Sequence, residues 1–479
     1  MQSARPWVVV LAALAGAAAL EARAAGLRAT DVTWSIAGGA AGGAVSPLGL
    51  YTAPASDGSS QVVATSVADP AVSGRAVVTV TSGGPVQESW VGVTAGLVNP
   101  HFDNGYAGAF DQSPLGRSDA FVVAGWDAGS PTELRVAYGV IGQAGPLPVA
   151  RVPNAAGYGL DYGASCQDSV DHDLHVVYGT FGSSIQYWRL RPQRSGTGGA
   201  ITGLTELAQF SIPGARYIDY PAIQEVTDGN GVRRLAIYGI KAVSSARADL
   251  ALLLTTPAAG VAPAGAADFA GPNGEAAAVS IGSLPTLAYN CAVGLAQHRA
   301  SRTLEVFMAS GQHGATGPQR RVALAASGAG WSVGAPSDLP VGIGDAFAVQ
   351  GLGDEVWFVW ADPSAVHLST VDSAGVVTLE AVPTPAAGPE DYRGPRHLAL
   401  APDGRLQVIW YLDSATPPRI RSNVFDGVTW RGWLDVDPSP GTIFNYLPLM
   451  GLAVHGGRLW SGTALSVGLA ETAVTAASF

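Results

Sequence analysis

From about residue 88 to the end of the chain, short apolar runs alternate with polar turns, and one run keeps returning. It reads LRVAYG at 134–139, LHVVYG at 174–179, RLAIYG at 234–239, LEVFMA at 304–309, VWFVWA at 356–361, LQVIWY at 406–411 and, more weakly, LWSGTA at 459–464. The runs begin 40, 60, 70, 52, 50 and 53 residues apart. Runs of this length, rich in β-branched and aromatic residues and bounded by Gly, Pro, Asp and Ser, predict strands rather than helices. Most are preceded by another apolar strand (AFVVAG, AIQEV, CAVGL, AFAVQG, HLALA, MGLAV) and a turn such as DGNG at 228–231 or PDG at 402–404. Each unit therefore opens on a hairpin. A third strand follows, often with a Gly-Trp turn into a fourth, as in ASGAGWSVG at 326–334.

Self-similarity of this kind predicts a repeat architecture. Four antiparallel strands per unit, set around a ring, describe a β-propeller blade, and ring closure leaves only short strand edges. There are seven blades, or six if the weak last unit completes another. Stacked sandwiches satisfy the same periodicity. Residues 31–80 carry further alternating strands (VTWSI, QVVATSV, RAVVTV) between Gly, Pro, Asp and Ser clusters, which predicts a small β-sandwich. The expected class is all-β, an N-terminal Ig-like β-sandwich at 25–82 followed by a six- or seven-bladed β-propeller at 83–479.

Two resemblances accompany this pattern. Through VTWS at 32–35, GLYTAP at 49–54 and ATSVADP at 64–70, the first region resembles the Ig-like domains of bacterial surface and secreted proteins. That implies a spacer or adhesion module, with Trp34 and Tyr51 as core anchors. The repeated region resembles the neuraminidase, or Asp-box, propellers, whose third-to-fourth turn carries Ser-x-Asp-x-Gly-x-x-Trp. Ser422, Asp426, Gly427 and Trp430 are present, although Asp426 directly precedes Gly427 and so departs from the motif's register. Such turns are structural in that family, so the resemblance implies blades and carries over no catalysis.

Residues 1–24 have two readings. A basic start, the apolar VVVLAALAGAAAL and Ala22-Arg23-Ala24 describe a secretory signal peptide. ALEARAAGL also alternates as a half-buried strand would, and the Ig-like resemblance needs two further strands there. If those strands are lost, the sandwich has an open edge, which is a route to self-assembly. No membrane span is expected after residue 24.

Composition narrows the function. Only 13% of residues are charged and 47% are hydrophobic, which suits close-packed strands rather than disorder. The formal net charge of −11 argues against nucleic acid, which requires a dense basic face. Lys241 is the sole lysine, so Schiff-base chemistry is not expected. Cys166 and Cys291 are the two cysteines, compatible with one bridge or with two small buried thiols.

Candidate chemistry gathers where the units begin. Asp161-Tyr162, Asp219-Tyr220 and Asp391-Tyr392 lead into the first strand of their units, and Asp119 and Asp345 occupy matching places, with Asn445-Tyr446 in the last unit. In a propeller the first strands line the central channel, so these residues surround one mouth. Carboxylates and phenols there can bind sugar hydroxyls and ring faces, or hold a hard cation such as calcium through oxygen ligands. No other cofactor is expected. The alternative is that each Asp caps a turn and each Tyr packs between blades.

Enzymatic readings have weaker support. A sialidase needs clustered arginines with a Tyr-Glu nucleophile pair, for which Arg216, Arg393, Arg396, Arg419, Arg421, Tyr220 and Glu225 are available. A polysaccharide lyase needs a base such as His397 or His175. A strand position makes either histidine a packed, hydrogen-bonded one. The expected function is a secreted, cell-surface or periplasmic binding or adhesion protein without turnover, with a glycan or a surface protein as partner. A propeller glycoside hydrolase or polysaccharide lyase, and a structural subunit of an extracellular assembly, are the alternatives.

Overall fold

The computed structural model describes residues 8–11, 17–23, 32–37, 43–45, 50–52, 58–67, 70–71, 73–80, 88–95, 106–110, 119–126, 133–140, 145–155, 160–180, 184–195, 200–213, 219–244, 247–276, 278–284, 291–310, 316–343, 348–352, 354–362, 366–383, 392–400, 406–412, 419–425, 434–436, 449–455, 458–466 and 471–478. Among them the chain is all-β, with one short 3-10 turn at Ala266–Asp268 and no α-helix.

Seven sheets follow one another from residue 106 onward, numbered here as blades I to VII, antiparallel except where Gly145–Pro146 lies parallel to Glu88–Ala95 in the last. Blade I orders Tyr106–Phe110, Asp119–Trp126, Glu133–Val140 and Val149–Pro153 from its first strand outward. Blade II follows with Leu160–Gln167, Leu174–Thr180, Ser184–Arg194 and Ile201–Pro213. Blade III has Asp219–Thr227, Arg233–Ser244 and Arg247–Thr255, the last flanked by Phe269–Ala270 and Val279–Leu284. Blade IV has Cys291–Gln297, Leu304–Ser310 and Thr316–Ser327, flanked by Gly330–Val333 and Ser337–Ile343. Blade V runs Ala348–Leu352, Glu355–Ala361, Val366–Val371 and Val377–Pro383. Blade VI runs Tyr392–Leu400, Leu406–Leu412, Arg419–Phe425 and Leu434–Val436.

Blade VII closes the ring. Leu449–His455, Arg458–Ser466 and Glu471–Ser478 supply three strands, and Glu88–Ala95 pairs antiparallel along the whole of Glu471–Ser478 as the fourth. The first strands of successive blades lie against one another from I to II, II to III, IV to V, V to VI, VI to VII and VII back to I. Between III and IV the contact is made through Arg233–Ser244. This circuit is a β-propeller, and from blade I to blade V it buries one face of each sheet on the next.

The sequence register needs one correction. LHVVYG, RLAIYG, LEVFMA, VWFVWA, LQVIWY and LWSGTA all lie in the second strand of their blade, but LRVAYG lies in the third strand of blade I, and AFVVAG is the second. Asp119 accordingly opens a second strand; the first strand of blade I opens with Tyr106.

The core sits between blades. Leu134, Val136 and Tyr138 of blade I meet Val176, Tyr178, Trp188 and Leu190 of blade II. Tyr187 and Ile185 of blade II meet Ile223, Leu235 and Phe269 of blade III. Tyr187 stacks on Phe210 at 4.8 Å between ring centroids, with the edge of Phe269 at 5.7 Å. Period-2 alternation thus serves two seams at once, which is why these strands read as nearly continuous apolar runs.

Ahead of the ring are two small sheets. Val8–Leu11, Ala17–Arg23, Leu50–Thr52 and Ala44–Val45 form one, and Val32–Ala37, Gly58–Ser66 and Ser73–Val80 the other. Residues 8–11 and 17–23 are thus strands here. Tyr51, Val62 and Ala64 are buried, while Trp34 is half-buried. Cys166 is a free thiol, and burial pushes its pKa well up, with Glu225 and Asp168 adding to the effect.

Candidate functional site

The first strands of the blades run in one sense around the ring, and hydrogen bonds between their far ends show it. Ser169, just past the end of the blade II strand, donates its N–H (2.6 Å) and its hydroxyl (2.8 Å) to Glu225 near the end of the blade III strand. Thr227 donates its N–H to Gln297 Oε1 at 2.8 Å and accepts from Gln297 Nε2 at 2.6 Å, joining blade III to blade IV. Ala300 donates to Asp354 Oδ1 at 3.0 Å, joining IV to V. These ends share one rim, so the starts of the same strands share the other.

That opposite rim holds the Asp-Tyr positions. Asp161 and Tyr162 lie in Leu160–Gln167, Asp219 and Tyr220 open Asp219–Thr227, and Tyr392 opens Tyr392–Leu400. Asp391, Asp345 and Asn445-Tyr446 lie outside the described residues, and Asp119 stands one strand further out.

Register shows what is unusual there. In blade II, Leu160 pairs with Thr180 and Gly163 with Tyr178, so Asp161 and Tyr162 face the single residue Gly179. In blade III, Tyr220 and Pro221 face Gly239. In blade VI, Arg393 and Gly394 face Tyr411, and in blade VII, Met450 and Gly451 face Gly462. Two residues opposing one is a β-bulge, which bends the strand, frees backbone groups from the ladder and re-aims side chains. Four blades carry it near the start of the first strand, and in II, III and VI it faces the same position of the repeated run.

Gly163 is needed just below the bulge. A Cβ there would enter the ring of Tyr178, which is fully buried and packed edge-on to Trp188.

At the latched rim many polar groups are paired within the protein, although Asp228 Oδ2 and His172 Nδ1 have no partner among the described residues. Asp168 accepts backbone N–H bonds from Val170 (2.8 Å), Asp171 (2.6 Å) and Asp173 (3.0 Å). His175 Nε2 donates to Asp168 Oδ2 at 2.9 Å, leaving Nδ1 to accept from the Tyr187 hydroxyl at 2.6 Å. Burial favours the neutral acid of Asp168, but the His175 and backbone hydrogen bonds outweigh it and hold the pKa at about 2. Burial pushes the Tyr187 phenol well up, so its proton stays on. All three side chains are almost wholly buried. His175 is therefore a packed, hydrogen-bonded residue with no room for a substrate, and Asp173 is likewise taken up by Arg189 and Arg191.

Blades III and IV repeat the theme with other residues. Arg234 donates to the carbonyls of Thr255 and Ala329 and lies over Trp331, 5.0 Å from the ring. Glu305 accepts from Arg321 Nε (2.6 Å), Arg321 Nη2 (2.8 Å) and His298 Nε2 (3.2 Å), and His298 Nδ1 faces the Asp354 carbonyl at 3.0 Å. Both imidazole nitrogens face acceptors, which fits the imidazolium. Burial lowers the His298 pKa, and the bonds to Glu305 and Asp354 overcome it, so the net shift is upward.

Tyr220 and Glu225 do not form a pair. Five positions apart on one strand, they are separated by about 16 Å along it. Glu225 is in addition bonded to Ser169 and Arg233. Arg216 lies outside the described residues, and Arg393, Arg396, His397, Arg419 and Arg421 are placed by strand alone. Among the described residues no group of three or more His, Cys, Asp or Glu could hold a metal ion. Nor is any helix among them long and apolar enough to cross a membrane. The bulges and the latches escaped sequence reasoning, since both depend on cross-strand register.

No family model and no curated protein matches the chain. Among solved structures it is similar to the six-bladed β-propeller lectin of Aleuria aurantia, at 9% identity over 72% of this chain and 99% of that one, with a TM-score of 0.41. A polysaccharide lyase is similar at 11% identity over 79% and 90%, TM-score 0.41. A mutant of Trypanosoma rangeli sialidase is similar at 10% identity over 81% and 58%, TM-score 0.39.

Proposed function

We propose that this chain is a secreted or surface-displayed binding protein in which an Ig-like module carries a propeller that takes a glycan at the rim of Asp161-Tyr162, Asp219-Tyr220 and Asp391-Tyr392. The observation that carries the reading is the β-bulge recurring at the starts of first strands, with Asp161, Tyr162 and Tyr220 inside it. A bulge in the innermost strand releases N–H and C=O groups beside the channel, and a glycan can use both together with carboxylate acceptors and phenol faces. Asp on this rim pairs with sugar hydroxyls and Tyr covers the apolar face of the ring. The latched rim, where Asp168, Asp173, Glu225 and Glu305 are already bonded, is the scaffold. No turnover is assigned.

The test is a glycan array with the full chain, with and without calcium, repeated with the Asp219→Asn/Tyr220→Phe variant after its fold is verified by circular dichroism. Selective binding lost in the folded variant supports the reading. Binding that survives in it, or a blank from the folded parent, overturns it and directs effort to protein partners and self-assembly.

A further inference from the structure

Blade II turns one face to blade I, and strand register fixes what stands on that face. Ser165, Val176, Trp188 and Gln209 are directly opposite one another across the four strands, and Gly163, Tyr178, Gln186 and Ser211 make the next row toward the Asp-Tyr rim. In the next row toward the latched rim, Leu174 and Leu190 pack among Leu134, Val136 and Val152, with Gln167 and Glu206 at the two ends of the row.

Four buried polar atoms in the two polar rows have no partner among the described residues: Ser165 Oγ, Trp188 Nε1, Gln209 Nε2 and Gln186 Oε1. The Gln186 amide is fixed, because its Nε2 donates to Ser211 Oγ at 2.6 Å and Ser184 Oγ at 3.2 Å, which turns Oε1 away from both. From blade I this face receives Leu134, Val136 and Tyr138, and the Tyr138 hydroxyl is spent on the Thr202 carbonyl at 3.1 Å. Unpaired buried donors and acceptors are rare in folded proteins, and four on one face of one sheet form a pattern rather than a scatter. The opposite face of the same blade has an aromatic closure made by Tyr187, Phe210 and Phe269.

The inventory selects the ligand. Trp188 and Gln209 offer N–H donors, Gln186 an acceptor, and Ser165 both, while no described carboxylate, Lys or Arg stands in these two rows. The partner must therefore be neutral, donate and accept at once, and be small enough for a seam in which Trp188 and Gln186 are almost wholly buried. Water meets all three conditions. We propose that ordered water is a built-in component of the seam between blades I and II, held by Ser165, Gln186, Trp188 and Gln209 directly beneath the Asp161-Tyr162 bulge.

Two measurements on the full chain test this. A high-resolution crystal structure is expected to show water oxygens within about 3.2 Å of Trp188 Nε1 and Gln186 Oε1. A dry seam, or the four atoms paired with one another through other rotamers, overturns the proposal. Thermal midpoints of Ser165→Ala and Gln209→Leu give an independent sign. If water is bound, each change removes a bond to it and the midpoint falls; if the groups are buried dry, removing them relieves an unpaired polar atom and the midpoint holds or rises, which overturns the proposal.

Discussion

Replacing Glu305 with leucine isolates the energetics of the latched rim. Glu305 is 1% exposed and accepts three hydrogen bonds, two from Arg321 and one from His298, which are themselves buried. Its removal leaves a guanidinium and an imidazolium without their counter-charge. Breaking a buried pair in this way costs about 3–5 kcal/mol, far more than losing an exposed pair. Removing the whole cluster in Glu305→Leu/Arg321→Met/His298→Leu leaves no buried charge and is expected to restore most of that loss.

The pH dependence has a definite sign. The folded pKa of His298 is raised, so its stabilising contribution is complete below the unfolded value of about 6.5 and fades as pH rises through the folded value. The deficit of Glu305→Leu is therefore larger at pH 6 than at pH 9. Denaturant midpoints and slopes for parent, single and triple variants at both pH values measure this. Equal loss in single and triple variants would mean that packing, not unbalanced charge, sets the cost, and the reasoning would fail.

Other outcomes follow from the same rims. As pH falls from about 4 through about 2, protonation of Asp168 removes roughly 2 kcal/mol, because its folded pKa is depressed; in Asp168→Asn that part of the acid limb is absent by circular dichroism. Gly163→Ala drives a methyl into the buried Tyr178 ring and lowers stability by about 1–3 kcal/mol, read from the thermal midpoint; an unchanged midpoint would show that Tyr178 can move. Arg302 has φ 59°, the left-handed region, with its carbonyl held by Gln297 at 3.0 Å, so Arg302→Gly is expected to raise stability by up to about 1 kcal/mol, and a loss would assign its side chain a role.

The repeat was legible because the second strand of every blade from II to VII returns a related apolar run, and in blades II to V, where burial is described, that strand is largely buried on both faces. It was misaligned in blade I for the same reason: Glu133–Val140, a third strand, is buried on both faces too, while the true first strand, YAGAF at Tyr106–Phe110, is short and rich in small residues. The strands read as VTWSI, QVVATSV and RAVVTV appear as Val32–Ala37, Gly58–Ser66 and Ser73–Val80. The latches were not legible, since Gln297 and Thr227 are seventy residues apart and nothing in either local pattern names the other. The bulges were hidden likewise, because a two-against-one register is a property of a strand pair. His175 is the opposite case: its strand position predicted a packed, hydrogen-bonded histidine rather than a base, and its bonds to Asp168 and Tyr187 make it one.

The closure of blade VII sets a clock. Glu88–Ala95 leaves the ribosome 376 residues ahead of the strand it will clasp at Glu471. At synthesis rates of about 5–20 residues per second, the wait is roughly 20–80 s. Throughout that interval the long edge that will meet Glu471–Ser478 has no partner, while six blades can assemble behind it. The last eight-residue pairing then converts an open arc into a ring, and a chain stalled before it presents two complementary free edges to its neighbours.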